Sequence, residues 1–110
     1  MTWAQALATP ANDRPYGVAL DADENVIVAG YTSGNLDGKH SGAASDDAFV
    51  AKYDADGNHL WTLQFGDEVH ADRLYGLTVA PDGDIYVTGY TKGFLAVETV
   101  GDKDVFLARV

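Results

Sequence analysis

The sequence contains no cysteine, which excludes disulfide bonds, thiolate metal sites and cysteine nucleophiles. It has only 7 basic residues against 17 acidic ones, and the net charge of −10 disfavours binding to nucleic acid or to an anionic membrane. No apolar run approaches the roughly 20 residues that cross a bilayer, so no membrane insertion is expected. The first residues, Met1–Ala4, lack a basic region followed by an apolar stretch, so we expect no signal peptide and leave the compartment open.

Glutamate is also scarce: it accounts for 3 of the 17 acidic residues, and the other 14 are aspartate. Aspartate favours tight turns because its short carboxylate accepts hydrogen bonds from nearby backbone N–H groups, whereas glutamate favours helices. No segment keeps a helical period of apolar residues. Since 46% of the residues are hydrophobic and 22% charged, as in globular proteins, the sequence predicts an all-β domain with many tight turns.

What the sequence does contain is an internal repeat. The segment 13–36 aligns with 72–95 and is identical to it at 11 of 24 positions. Chance would give about one or two identities at residue frequencies of roughly 5–8%. Trp3 aligns with Trp61, and the segment 47–52 aligns with 104–109. We therefore predict one domain, residues 1–110, built from a duplicated unit.

Each copy of the unit is predicted to form four short β-strands, because its apolar segments are rich in Val, Ile, Tyr, Phe and Trp and are bounded by Gly, Asp and Asn. Repeat 1 covers about 13–66, and repeat 2 covers about 72–110 and is completed by an N-terminal strand at 2–7. The predicted strands are Trp3–Leu7, Tyr16–Leu20, Val26–Thr32, Ala48–Tyr53, Leu60–Phe65, Leu74–Val79, Ile85–Thr91 and Val105–Val110.

Tight acidic turns alternate with long connections along the chain. In an up-and-down sheet successive turns lie at opposite ends, so the tight turns share one end of the strands and the long connections share the other. Compact four-stranded units that repeat and are apolar on both faces are typical of β-propeller blades. The long connections are Ala8–Pro15, Ser33–Asp46, Gly66–Arg73 and Lys92–Lys103.

The segments 17–32 (GVALDADENVIVAGYT) and 47–57 (DAFVAKYDADG), followed by Leu60-Trp61, resemble the bacterial β-propeller repeat called SBBP and, more distantly, the NHL repeat. The resemblance spans nearly the whole chain as two copies. Glu24 stands where that turn usually carries glycine, and Gly83 keeps the glycine in the second copy. The resemblance implies a propeller whose first strands line the central channel, and it implies no catalytic residue.

The order of the predicted strands indicates an assembly of several chains. The chain opens with a fourth strand at Trp3–Leu7 and closes with a third strand at Val105–Val110, whereas a closed propeller needs about 4–8 blades. A head-to-tail ring of identical chains joins these two strands into one blade and covers both open blade faces. We expect a cyclic homo-oligomer, with a trimer favoured over a tetramer. The alternative is a segment of a longer single-chain propeller.

Two Asp-Arg pairs are the first candidates for ligand binding. Asp13-Arg14 and Asp72-Arg73 are predicted to lie on the long-connection side, directly before the channel-lining strands. Arginine side chains around a channel mouth suit carboxylate or sulfate groups. The alternative is that each aspartate fixes a turn and pairs with its neighbouring arginine.

Two tyrosines and two histidines complete the candidate set. Tyr31 and Tyr90 end the second strands, where they either stack on a sugar ring or pack between blades. His40 and His70 lie in long connections and show no metal-ligand spacing. The turn that begins at Asp54 resembles a calcium loop, but its twelfth position is Phe65 instead of glutamate, which favours a plain hairpin turn. No metal, cofactor or catalytic residue is predicted.

The sequence favours a non-enzymatic scaffold that binds a ligand or partner through its long connections, because function is concentrated in loops on rigid scaffolds. A lectin-like ring that binds carbohydrate with avidity is the sharper form of this hypothesis. One alternative is a purely structural repeat segment of a larger surface propeller protein. The other is an enzyme with its site at the channel mouth, although three serines and no nucleophile motif give a hydrolytic triad no support.

Overall fold

The computed structural model describes residues 1–36, 46–66, 70–93 and 103–110. The strands of these ranges are β1 (Asp13–Leu20), β2 (Val26–Thr32), β3 (Asp47–Tyr53), β4 (His59–Phe65), β5 (Asp72–Val79), β6 (Ile85–Thr91) and β7 (Asp104–Arg109). The described part of the chain has no helix long and apolar enough to cross a membrane. The all-β prediction is confirmed for these ranges.

The strands form two antiparallel sheets that repeat the same order of neighbours. The first sheet is β1-β2-β3-β4 and the second sheet is β5-β6-β7, so each is an up-and-down meander. β2 and β6 have the predicted bounds. β1 and β5 begin earlier than predicted, because Asp13 pairs with Thr32 and Asp72 with Thr91 in the β-ladders.

The two sheets pack face to face around one apolar core. Ile27 and Ala29 alternate with Val26 and Val28 along β2, and successive side chains of a strand point to opposite faces of its sheet. Ile27 and Ala29 therefore face the second sheet, and each is at most 1% exposed. The buried core consists of Ile27, Ala29, Ala48, Val50, Leu74, Ile85 and Val87.

Each sheet also has an outer face that points away from the other sheet. On the first sheet this outer face carries a second apolar cluster, formed by Phe49, Ala51 and Tyr53 with Val26 and Val28 beside them. On the second sheet the outer face carries Val105 and Leu107, because these residues alternate with Phe106 and Ala108, which pack against the core.

The segment Trp3–Leu7 has no ladder pairing within the single chain and belongs to neither sheet, so the predicted N-terminal strand does not form there. A strand requires a free sheet edge beside it, and within the first sheet the edge next to β3 is already occupied by β4. The segment instead lies across the outer face of the first sheet. Its Trp3 indole donates a hydrogen bond from Nε1 to the Ala55 carbonyl at 3.0 Å, and Leu7 packs against the outer-face cluster. The second sheet therefore has three strands within the single chain.

The tight turns after β1 and β3 are each held by one aspartate. Asp54 Oδ1 accepts hydrogen bonds from the backbone N–H groups of Asp56 at 2.9 Å and Asn58 at 2.8 Å, and Oδ2 accepts one from the Asn58 side chain at 3.0 Å. Asp21 makes the same three bonds in its own turn. The carboxylates that resembled calcium ligands are thus occupied by turn hydrogen bonds. Across the described ranges no three His, Asp or Glu side chains are grouped closely enough to hold a metal ion.

The turn carboxylate of Asp21 predicts a specific dependence of stability on pH. Hydrogen bonding by Asn25 lowers the pKa of Asp21 from 3.8 to about 2, and Lys52, whose Nζ lies 3.1 Å from Oδ2, contributes further. Because the folded pKa lies below the unfolded pKa, this stabilisation is complete above about pH 4 and is lost as the pH falls towards 2. We expect Asp21→Ala to lower the melting temperature at pH 7 and to lower it less as the pH approaches 2, as measured by circular dichroism.

Asp23→Ala is the matched control, since it removes the same charge from the same turn without removing those hydrogen bonds. It should leave the melting temperature nearly unchanged across the pH range. If both variants lower the melting temperature equally, or if the decrease for Asp21→Ala does not depend on pH, the Asp21 carboxylate does not stabilise the turn as assigned.

Glu24 occupies a backbone conformation that favours glycine. Its φ is 64°, and the equivalent positions of the other tight turns are Gly57 with φ 85° and Gly83 with φ 92°. The left-handed conformation costs a residue with a Cβ atom roughly 1–2 kcal/mol. The repeat therefore carries local backbone strain in the turn after β1.

Glu24→Gly is expected to raise the free energy of unfolding by about 0.5–1 kcal/mol, because the relieved strain exceeds the added entropy of the unfolded chain. Gly83→Ala is the reciprocal variant and should lower that free energy by about 1 kcal/mol. An added Cβ at Gly83 meets no atom within 4 Å, so its effect is purely conformational. Urea denaturation measures both changes. If Glu24→Gly lowers the free energy of unfolding, the positive φ of Glu24 does not strain the backbone.

Candidate functional site

β1 and β5 each contain a β-bulge at the same repeat position. The pairing register of β1 shifts after Pro15 and that of β5 shifts after Leu74, so Tyr16 and Tyr75 are the extra residues. A bulge bends its strand and redirects the side chain it carries. Tyr16 is 45% exposed and Tyr75 is 42% exposed. The bulges thus present two aromatic rings to solvent from otherwise regular strands.

Four tyrosines from the two sheets form one aromatic cluster. Tyr16 stacks on Tyr31 with ring centroids 5.4 Å apart, and Tyr75 stacks on Tyr90 with centroids 5.9 Å apart. These are equivalent pairs of the two repeats. The pairs meet where Tyr16 and Tyr75 contact each other, with centroids 4.5 Å apart. The aromatic cluster therefore crosses the boundary between the sheets.

Arg73 is held in this cluster by an ion pair and by aromatic contacts. Its Nε and NH2 atoms lie 2.8 Å and 2.6 Å from Asp46 Oδ2. The guanidinium carbon lies 4.3 Å from the Tyr31 ring centroid, and NH1 donates to the Tyr75 hydroxyl at 3.4 Å. The hydrogen bond to Tyr75 and the bond to Asp46 raise the pKa of Arg73 above its already high value. The side chain is therefore a fixed cation whose charge is largely neutralised by Asp46.

Arg14 is the repeat equivalent of Arg73, but its environment differs. Arg14 pairs with Tyr31 in the β-ladder, just as Arg73 pairs with Tyr90. Its side chain is exposed, and within the described ranges it forms no ion pair with a carboxylate. One repeat therefore carries a guanidinium paired with a carboxylate, whereas the guanidinium of the other contacts the Tyr16 hydroxyl and has no carboxylate partner among the described residues. We call these two arginines and the four tyrosines the tyrosine–arginine cluster.

A third cation lies beside the tyrosine–arginine cluster. Lys103 Nζ is 5.1 Å from the Tyr90 ring centroid, within the range of a cation–π contact. Lys103 directly precedes β7 just as Asp46 directly precedes β3, so the two residues are repeat equivalents. The position that is acidic before β3 is thus basic before β7.

Two of the tyrosine hydroxyls lie within hydrogen-bond distance of each other. The Tyr16 and Tyr31 oxygens are 3.5 Å apart, and the hydrogen bond between them lowers the pKa of Tyr16 and raises that of Tyr31. Burial raises the pKa of Tyr90. The equivalent tyrosines Tyr31 and Tyr90 therefore both have a raised pKa.

The aspartates of the two predicted Asp-Arg pairs are part of the sheets. Asp13 Oδ1 accepts a hydrogen bond from the Thr32 hydroxyl at 2.5 Å, and Asp72 Oδ1 accepts the equivalent bond from Thr91 at 2.5 Å. Asp72 is only 1% exposed. Both residues were predicted to lie in connections, whereas they are the first residues of β1 and β5. Each aspartate thus ties the start of a first strand to the end of a second strand.

The remaining predicted site residues divide between the cluster and its surroundings. Tyr31 and Tyr90 lie in the tyrosine–arginine cluster, although Tyr31 is only 4% exposed. His70 is exposed and lies just before β5, separated from it by one residue. His40 lies outside the described residues.

Sequence reasoning missed the most accessible members of the cluster. Tyr16 and Tyr75 are identical in the two repeats, and this identity was the available signal. Their exposure depends on the bulges, which become visible only when the strand register is known. Asp46 was missed because the carboxylate adjoins a long connection and meets Arg73 from the other sheet.

Two antiparallel meanders that pack face to face and share a duplicated sequence agree with neighbouring blades of a β-propeller. Residues 60–94 match the family model described as SBBP, beta-propeller repeat, which confirms the resemblance found in the sequence. The chain is also similar to the regulatory protein FlaEY of Caulobacter vibrioides, with 29% identity over 119 aligned residues. This alignment covers 98% of the present chain and 12% of that relative.

The ion pair of Arg73 predicts that the two equivalent arginines differ in their contribution to stability. Arg73→Lys should lower the free energy of unfolding by about 1–2 kcal/mol, since lysine cannot present two donors to Asp46 while stacking on Tyr31. Arg14→Lys should change it by less than about 0.5 kcal/mol, as is usual for exposed sites. Urea denaturation of both variants checks this, and equal losses would contradict it.

Proposed function

We propose that this chain is a non-enzymatic β-propeller scaffold that binds an acidic carbohydrate at the tyrosine–arginine cluster. The observation that carries the proposal is the placement of two exposed tyrosine rings beside an arginine without a carboxylate partner among the described residues. Such a surface offers a stacking platform and a charged anchor to the same ligand. An acidic sugar is the ligand class that uses both features.

The aromatic part of the surface fits the apolar face of a sugar ring. Tyr16 and Tyr75 are both about half exposed, and their centroids are 4.5 Å apart. Their positions are fixed from behind, because Tyr16 stacks on Tyr31 and Tyr75 stacks on Tyr90. Fixed aromatic rings lose little conformational entropy on binding, which favours a weak ligand such as a single sugar.

The charged part of the surface fits a carboxylate or sulfate group. The guanidinium of Arg14 has five N–H donors in a planar fork that matches such anions. Lys103 adds a second cation near Tyr90. Arg14, Arg73 and Lys103 thus place three cations around the single carboxylate of Asp46, which favours an acidic ligand here although the whole chain has a net charge of −10.

Catalysis is a weaker interpretation of the same surface. Asp46, the carboxylate that contacts the cluster, is engaged by Arg73 at 2.6 Å and 2.8 Å. Retaining and inverting glycosidases need two carboxyl groups on either side of the substrate. The match of residues 60–94 to a β-propeller repeat also favours a scaffold over an enzyme.

The relative suggests a context for such a scaffold. FlaEY is named a regulatory protein, and the alignment covers 12% of its length. Under our proposal the present fold is a recognition module that a larger regulatory protein can include. Because the alignment covers only 12% of the relative, it also favours the second candidate function, a purely structural repeat segment of a larger protein. Binding experiments separate the two.

We expect Arg14→Gln to weaken binding of an acidic oligosaccharide by about tenfold or more, because a charge-assisted hydrogen bond contributes roughly 1.5–3 kcal/mol. Tyr75→Ala should weaken it by a similar factor through the loss of stacking. A glycan array containing uronic acid and sulfated sugars identifies the ligand, and isothermal titration calorimetry measures the affinity.

Arg109→Gln is the matched control. Arg109 lies on β7 in an exposed pair with Asp84 at 3.6 Å, and its side chain takes no part in the tyrosine–arginine cluster. The control should bind as the unmodified protein does. If the array shows no acidic sugar bound, or if all three variants bind equally, the ligand-binding proposal fails and the structural candidate is favoured.

A further inference from the structure

The outer faces of the two sheets expose apolar side chains that an isolated repeat protein would normally cover. On the outer face of the second sheet, Val105 is 84% exposed and Leu107 is 75% exposed. On the outer face of the first sheet, Val18 is 69% exposed and Leu20 is 64% exposed. Both belong to that face because Val18 pairs with Val28 and Leu20 with Val26. The outer face of the second sheet is therefore open, and that of the first sheet is open along β1 and partly covered by the N-terminal segment at β3.

The open surface of the second sheet is the repeat equivalent of a surface that is buried inside the chain. Because β7 aligns with β3, Val105 and Leu107 are the equivalents of Ala48 and Val50. Ala48 and Val50 are both 0% exposed in the core between the sheets. The face that is open on the second sheet is thus covered on the first.

The outer face of the first sheet is likewise the repeat equivalent of a buried surface, the face of the second sheet that lies in the core. Because β2 aligns with β6, Val26 and Val28 on the outer face of the first sheet are the equivalents of Ile85 and Val87. Ile85 and Val87 belong to the buried core. The core between the sheets is therefore a template for packing the two open surfaces together.

The side chains of the two open surfaces are also complementary in size. In the internal core, the small pair Ala48 and Val50 belongs to the same buried cluster as the large pair Leu74 and Ile85. On the open surfaces the small pair is replaced by the larger side chains of β7. The large pair is replaced by its smaller repeat equivalents at positions 15 and 26, proline and valine. Each enlargement on one side is matched by a reduction on the other, as close packing requires.

The N-terminal segment already lies where a neighbouring sheet would place its fourth strand. Phe65 of β4 meets Phe106 of the second sheet edge to face, with centroids 6.5 Å apart. Leu7 is the repeat equivalent of Phe65 in the alignment that matches Trp3 with Trp61, and it packs in the cluster of Phe49, the equivalent of Phe106. The segment thus reproduces on the first sheet the contact that β4 makes on the second.

A groove remains between this segment and the outer face of the first sheet. Its volume is about 280 Å³. Its apolar lining includes Pro15, Val26, Val28 and Phe49, with Trp3 and Leu7 on the segment side. In the internal interface the equivalent space is filled by the inner face of the first sheet. The occupant that the groove fits is therefore the outer face of the second sheet from another copy.

We propose that a second copy of this chain docks head to tail, with its Val105 and Leu107 in the groove and its β7 paired to the N-terminal segment. The register follows from that between β3 and β4, in which Val50 pairs with Leu63. Leu107 of one copy then lies opposite Gln5 of the next. Repetition of this contact generates a ring, and three copies are expected, with four as the second choice.

The docking rests on apolar contacts and strand pairing. The ion pair between Asp46 and Arg73 has no counterpart at the proposed junction, because Lys103 stands at the position of Asp46 and faces the side of Arg14. Each copy also carries a net charge of −10. Association is therefore measured at moderate salt, which screens both repulsions.

The first test is the mass of the full chain in solution, measured by light scattering across a hundredfold range of concentration. We expect a discrete oligomer that dissociates on dilution, and Leu107→Asp should abolish it. Ala22→Asp places the same charge in an exposed tight turn and should leave the oligomer intact. Circular dichroism shows whether each variant is folded. A folded monomer of the unmodified chain at every concentration, or an oligomer unaffected by Leu107→Asp, overturns the proposal.

The second test fixes the register and does not require a destabilising substitution. Because the natural chain has no cysteine, the double variant Gln5→Cys with Leu107→Cys contains the only two thiols. Directly opposed residues of antiparallel strands have Cα atoms about 4.5–5.5 Å apart, which permits a disulfide. We expect oxidation to link separate chains, as seen by denaturing electrophoresis without reductant.

Ala6→Cys with Leu107→Cys is the matched control for this register. A shift of one residue turns the side chain to the other face of the strand, so these thiols should not link. Equal linking in both variants, or none in either, contradicts the proposed pairing. A disulfide within one chain is excluded by position, since residue 5 and residue 107 lie on opposite outer faces of the two-sheet stack.

Discussion

The packing of the two sheets against each other supports every other feature of the described structure. Ile27 and Ala29 on one side and Leu74, Ile85 and Val87 on the other are at most 5% exposed. This contact brings Arg73 of the second sheet within ion-pair distance of Asp46, which precedes a strand of the first. It also brings Tyr16 against Tyr75. The tyrosine–arginine cluster therefore exists only because two copies of the repeat share one apolar core.

The sequence was sufficient to predict the elements whose signals are local. β2 and β6 were predicted with the correct bounds, because a run of apolar residues in each is closed on both sides by turn residues. The turns held by Asp21 and Asp54 followed from the habit of aspartate to bond its own backbone. The duplication itself was visible as identities between two aligned segments of the chain.

Features that depend on pairing could not be predicted in this way. A bulge is defined by two strands together, so the exposure of Tyr16 and Tyr75 was not visible in either strand alone. The segment Trp3–Leu7 forms no strand within the single chain for a related reason. Its sequence copies β4, but a strand also needs an edge that can accept its hydrogen bonds. The segment therefore keeps the side-chain packing of its repeat equivalent β4 but not the backbone hydrogen bonds of a β-ladder.

The two repeats are similar in backbone and unequal in charge, and this inequality has a consequence for counting binding sites. Arg73 is neutralised by Asp46, whereas Arg14 has no carboxylate partner among the described residues and Lys103 replaces the acid in the second repeat. An anion that needs an open guanidinium therefore finds one place per chain, not one per repeat. Under the proposed function, the expected stoichiometry of such a ligand is half the number of sheets, and a valency taken from the repeat count alone would be twice too high.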